Sequence, residues 1–205
     1  MGLLTGKMSV TRFVAEEISQ PNWREMARDA ISARCFREPP TWRKEVVSGW
    51  CLIDDLTSTD FGDNNRWIFG GSTIGLGLRI ASKKLPAADF KAQVAKLCTE
   101  WAKERGAERC PSAVKKEIKD RLEDDWLRGT IPASKLIEVL WDQTAGYALV
   151  GSTSPNVVDL VRKTFHRTFG IELLPDVPLD WVTNSLRDQL LQTNPIAFTS
   201  EESGS

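Results

Sequence analysis

Thr73-Ile74-Gly75-Leu76-Gly77-Leu78-Arg79-Ile80-Ala81 alternates without a break, then runs through Ser82-Lys83-Lys84-Leu85 into Pro86. A period of two predicts a strand that places Ile74, Leu76, Leu78 and Ile80 on one face. Gly75 and Gly77 fall on the other face, where another group is expected to come close to the backbone. No helix start follows this strand directly, so the glycines do not fit a phosphate-cradling loop. Pro86 sits where a first helical turn tolerates it and opens a helix to about Arg105, with Phe90, Val94, Leu97, Cys98 and Trp101 as its apolar stripe. Gly106 ends that helix. Pro111-Ser112 begins a second, with Val114, Ile118, Leu122 and Trp126 spaced by four. The two helices make a hairpin.

Working outward, Met8–Val14 reads as a strand, residues 21–34 as an amphipathic helix and Glu45–Ile53 as a second strand after the break at Pro39-Pro40. A polar turn then leads to a short strand at Arg66–Phe69. Beyond the hairpin, Lys135–Asp142 and Tyr147–Ser152 read as strands. Ser154-Pro155 opens a helix that Gly170 closes, and Ile171–Leu174 is a short strand. Residues 178–192 are expected to form a last helix and 193–205 a disordered tail. The order β-α-β-β-β-α-α-β-β-α-β implies an α+β fold with a mixed or antiparallel sheet. Residues 1–82 and 130–192 would form the central domain, with 83–129 as an inserted basic hairpin.

Charge is unevenly distributed. Residues 79–121 hold twelve Lys/Arg against six Asp/Glu in a chain whose formal charge is −1. Residues 1–78 carry nine basic and ten acidic side chains, and residues 122–205 six and twelve. Such a contrast gives one element a positive field while the whole stays near neutral, a means of attracting a polyanion. Solvation of two surface helices explains the same charges without any ligand. The candidate phosphate contacts are Arg79, Lys83, Lys84, Lys91, Lys96, Lys103, Arg105, Arg109, Lys115, Lys116, Lys119 and Arg121. Contacts of this kind need point charges rather than exact geometry, and they bind without regard to sequence.

Other chemistry has little support. Cys35, Cys51, Cys98 and Cys110 show no C-x-x-C spacing, and with the single His166 they form no local zinc motif. They are expected to be reduced, mostly buried small hydrophobes. Asp54, Asp55, Asp60 and Asp63 lie in a turn-rich loop, and Glu123-Asp124-Asp125 follows the second helix. Neither group has a catalytic partner at recognisable spacing, and the first does not match an EF-hand loop. His166 lies beside Arg162, Lys163 and Arg167 with no nucleophile near it in sequence. No Walker A, G-x-S-x-G or H-E-x-x-H pattern occurs. The expectation is a protein that is not an enzyme and uses no metal or cofactor. Most of the eight tryptophans should be core residues, although an exposed one could stack on a base. No window approaches a membrane span, and the N-terminus does not read as a signal peptide or a myristoylation signal, so a cytoplasmic location is expected.

Taken together, element order and local wording resemble the RdgC family of bacterial recombination-associated proteins. The resemblance runs from about Leu4 to Trp181. It rests on Lys7–Phe13 and the following helix, Gly49-Trp50, Arg79–Pro86 leading into a hairpin, Trp141-Asp142-Gln143-Thr144 with Tyr147-Ala148-Leu149-Val150, and Val157–Phe169 followed by Ile171–Leu174. The chain stops where the family's C-terminal part would begin. Leu127-Arg128-Gly129-Thr130-Ile131 stands in place of a Pro-Arg-Ala-Phe-like stretch, so only Arg128 carries over as a further DNA contact.

The resemblance implies a homodimer that binds single- and double-stranded DNA without sequence preference, associates with the nucleoid and limits recombinase or nuclease access during recombination. Arg162, Lys163 and Arg167 would extend the DNA-facing surface. Two other readings stand beside this one. A protein-interaction module could have lost DNA binding and use its tryptophan-rich surface to inhibit a host or phage DNA-processing protein. A magnesium-dependent nuclease would depend on Asp54 or Asp55.

Overall fold

A computed structural model describes residues 9–43, 45–62 and 66–176. Its elements follow the expected order: β1 (Thr11–Val14), α1 (Trp23–Ala33), β2 (Val47–Leu52), β3 (Ile68–Phe69), β4 (Thr73–Ser82), α2 (Ala87–Glu104), α3 (Ser112–Gly129), β5 (Ala133–Asp142), β6 (Tyr147–Val150), α4 (Pro155–Phe169) and β7 (Leu174–Pro175). The fold is α+β. Its sheet is ordered β2-β4-β5-β6-β1-β7, with β3 pairing the start of β4, and every strand pair is antiparallel. The expected last helix over 178–192 and the tail over 193–205 lie outside the described residues, as do Lys7, Met8, Lys44 and Asp63.

The alternation in β4 builds the core. Leu76 faces Leu52 on one side and Val139 on the other, while Leu78 faces Trp50 and Ile137. These six side chains are buried on one face of the sheet. Ala27 and Ile31 of α1 join the same cluster, as do Val161 and Phe165 of α4. Trp141 meets Phe165 at 5.0 Å and Phe169 at 5.1 Å between ring centroids. Trp50 Nε1 donates to Thr168 Oγ1 at 2.8 Å, so the indole's polar edge is satisfied although the side chain is buried.

Both glycine expectations hold in β4. A Cβ on Gly75 would run into the Phe69 ring, and one on Gly77 would lie 2.8 Å from the Leu52 carbonyl oxygen. Gly49 has a similar role in β2, where a Cβ would sit 2.5 Å from Phe36 N. There the backbone after α1 lies against β2, with Phe36 N donating to Trp50 O at 2.8 Å and Trp50 N to Arg34 O at 3.0 Å.

Strand boundaries differ modestly from expectation. β5 begins at Ala133 because it pairs with the full length of β4, down to Ser82 opposite Ala133. β7 is limited to Leu174–Pro175, which pair with Val14 and Phe13 of β1. Among the cysteines only Cys51 is buried; Cys35, Cys98 and Cys110 are partly exposed, because Cys98 and Cys110 belong to the hairpin rather than to the sheet core. All four are free thiols.

The pairing of Ser82 with Ala133 determines where the hairpin projects. β4 and β5 are neighbours in the sheet, and the whole of α2 and α3 is inserted at the end of that pair. Phe90 packs edge-on against Trp126, with ring centroids 5.6 Å apart. Only Val94 in α2 and Leu127 in α3 are buried, so the hairpin is an arm with a thin core of its own. At its far turn Gly106 adopts a φ of 61°. Its N–H reaches Lys103 O at 3.3 Å and Ala107 N reaches Ala102 O at 2.9 Å, the paired bonds of a Schellman stop.

Candidate nucleic-acid interface

Lys83 closes the root of the arm. It follows β4 immediately, and its Nζ donates to the Leu127 carbonyl oxygen at 2.7 Å. The last carbonyls of a helix have no partner within it and carry the negative end of the dipole, so an ammonium there is doubly favoured. Thr130 Oγ1 donates to Trp126 O at 2.7 Å, satisfying the neighbouring carbonyl. Lys83 is only 8% exposed, and its Nζ lies 5.4 Å from the centre of the Trp42 ring. Its charge is therefore spent within the protein.

Arg79 is also turned inward. Its Nε donates to Ser134 Oγ at 3.2 Å, one terminal nitrogen reaches Leu56 O at 3.4 Å, and the guanidinium lies 4.1 Å from the Phe36 ring centre. The other cations expected to contact phosphate, namely Lys84, Lys91, Lys96, Lys103, Arg105, Arg109, Lys115, Lys116, Lys119, Arg121 and Arg128, are all exposed. They do not form one field. Between Ala87 and Gly129 ten Lys/Arg stand against nine Asp/Glu, so the arm itself is nearly neutral. The excess seen in sequence came largely from Arg79, Lys83 and Lys84 before the arm and from ending the count ahead of Glu123, Asp124 and Asp125.

Geometry nevertheless gathers some of these residues. Two hollows flank Lys83 at the root. One, of about 450 Å³, is lined by Lys83, Lys84, Leu85, Ala87, Phe90 and Lys119. The other, of about 350 Å³, is lined by Pro40, Thr41, Trp42, Lys83, Asp124, Leu127 and Arg128. The side chains of Lys84, Lys119 and Arg128 make no hydrogen bond or ion pair among the described residues, which leaves them available. Lys96 and Lys103 are seven residues apart on the face of α2 opposite Val94, and Arg105 lies over Trp101 at 4.7 Å. They are not at the root. On α4, Arg162 donates to Leu173 O at 3.0 Å and Lys163 pairs with Asp159 at 2.7 Å. His166 and Arg167 are exposed, and a shallow hollow beside His166 includes Asp159 and Glu172.

The acidic loop is occupied by its own turns. Asp54 pairs with Arg66 at 2.7 Å. Asp55 Oδ1 accepts from Thr57 N at 2.9 Å and Thr57 Oγ1 at 2.7 Å, which holds its carboxyl below the usual range. Asp60 Oδ1 accepts from Gly62 N at 2.9 Å. No group of three or more His, Cys, Asp or Glu side chains among the described residues is arranged to hold a metal ion. No helix among them is long and apolar enough to cross a membrane.

Sequence reasoning passed over Trp42. Pro39-Pro40 read as a chain break and the residues after it were not weighed, although in Thr41-Trp42-Arg43-Lys44 an aromatic residue before two basic ones was the available signal. Compared with known proteins, the chain matches no protein-family model and no curated sequence.

Proposed function

We propose that this protein binds DNA, single- and double-stranded, without sequence preference, and that the root of the arm is the contact surface. The observation that carries the reading is the grouping of Lys84, Lys119 and Arg128, whose side chains have no partner among the described residues, around the buried Lys83 in two open hollows. Phosphate oxygens accept from such groups without a fixed register, so sequence independence follows from the chemistry. The RdgC-like order of elements supports the same reading. A homodimer that coats DNA would then restrict recombinase or nuclease access.

The remaining arm cations would contribute long-range attraction rather than a defined site, since acidic neighbours offset them. Fluorescence anisotropy of labelled oligonucleotides at several salt concentrations tests the proposal. Each lost phosphate contact should reduce the slope of log K against log salt by about 0.9 for duplex and about 0.7 for single strands. The combined Lys84→Ala, Lys119→Ala and Arg128→Ala variant should therefore bind more weakly and with a flatter salt dependence. Unchanged affinity would move the contact surface away from the root. Absence of binding by the unmodified protein at low salt would remove the DNA reading altogether and favour a protein-interaction role.

A further inference from the structure

We infer that the hollow under Trp42 receives an unstacked nucleobase, so that the protein discriminates single-stranded from duplex DNA. This rests on the DNA-binding reading above and adds to it a site for the base. The hollow's volume of about 350 Å³ lies within the range of small-ligand pockets. Trp42 lines it, half-buried, with its Nε1 donating to Glu38 Oε1 at 3.2 Å and Lys83 Nζ 5.4 Å from its ring centre. Pro39 and Pro40 stiffen the backbone just before it, so little conformational freedom remains to be lost on binding.

The hollow carries both signs of charge, with Lys83 and Arg128 at its cationic edge and Asp124 as its one carboxylate. Asp124 lines it, and a carboxylate repels a phosphate but accepts hydrogen bonds from base amino groups. Arg128, one helical turn further along α3, lines the same hollow and is exposed; Lys84 and Lys119 line the adjoining one. A strand crossing the root would thus place phosphates on the cations and one base against the indole. A base held in a duplex stack cannot enter without being flipped out, which costs a few kcal/mol. Stacking on an aromatic side chain is tolerant of base identity, so discrimination is by strandedness and not by sequence.

The test compares Trp42→Ala and Trp42→Phe in the full chain, using labelled single-stranded and duplex oligonucleotides of equal length. Trp42→Ala should weaken single-strand binding about tenfold, in line with the loss of one aromatic stacking contact. Duplex binding should change less than twofold, and the salt slope should stay the same on both. Trp42→Phe should restore most of the single-strand affinity. Ultraviolet crosslinking of a 5-iodouracil oligonucleotide to the unmodified protein gives a readout that does not depend on the variants folding, and the adduct should map to Trp42. If the protein binds DNA but Trp42→Ala loses nothing, or loses equally on both substrates, the stacking site is wrong while the root interface stands. An adduct confined to other residues has the same meaning. If the unmodified protein binds neither substrate at low salt, both readings fall together.

Discussion

Replacing Lys83 with methionine separates the cation that builds the arm from those that are free to bind. Methionine keeps most of the length of the side chain and removes its charge. The Leu127 carbonyl then loses the donor that sits 2.7 Å away, inside a region where Lys83 itself is buried. A hydrogen bond to a charged group contributes about 1.5–3 kcal/mol. Relief of the ammonium's desolvation offsets part of this, so a net loss of about 2 kcal/mol is expected. For a chain of this size that corresponds to a fall in Tm of roughly 4–8 °C. Thermal unfolding followed by circular dichroism measures it. Hydrogen exchange should show the change concentrated in the last turn of α3, where the cap is lost. Lys83→Met should also leave the salt slope of DNA binding unchanged, because its charge is not offered to solvent. An unaltered Tm, or a salt slope that falls by the amount expected for a lost phosphate contact, would refute the reasoning. The same geometry argues against using charge reversal at Lys83 to map binding: Lys83→Glu places a carboxylate against a carbonyl oxygen, and lost binding would then reflect a damaged fold.

Gly49→Ala should cost about 3 kcal/mol, the upper end for overpacking, because its Cβ would meet the Phe36 backbone and not a movable side chain; urea unfolding gives the value. Burial pushes the Cys51 thiol up to about 12 from its ordinary 9.0, so between those values the folded chain holds that proton while the unfolded chain releases it. Stability present below pH 9 should therefore decline as pH rises toward 12, and Cys51→Ala should flatten that part of a pH–stability curve. Asp55 works in the opposite direction. The Thr57 hydroxyl and N–H lower its pKa, so its contribution is present above the unfolded value and lost as pH falls through the folded one; Asp55→Asn should reduce the acid sensitivity of unfolding.

The sequence by itself determined the order of the described elements and the side of the sheet on which the β4 leucines lie. Period-two alternation in β4, the Ser154-Pro155 start and Gly170 stop of α4, and the glycine and proline marks around α2 and α3 are local signals, governed by backbone sterics and hydrogen bonding within a few residues. α4 runs from Pro155 to Phe169 as those signals predict. Gly75 and Gly77 announced close approach, though not that Phe69, Leu136 and Leu52 would be the groups approaching. What local signals could not carry is the direction of long side chains.

Arg79 and Lys83 look in sequence like the start of a basic run, and both turn inward. They do so because Leu56, Ser134 and Leu127, far away in the chain, bring oxygen acceptors to their ends. The same tertiary step brings Trp42 beside Lys83 across 41 positions of sequence and gathers Lys84, Lys119 and Arg128 at one root. Charge summed along a segment overlooks such rearrangement, because a field depends on where charges sit in space and which are already paired. Local physics wrote the list of elements, while the antiparallel closure of β4 on β5 decided which cations remain available at the root of the arm.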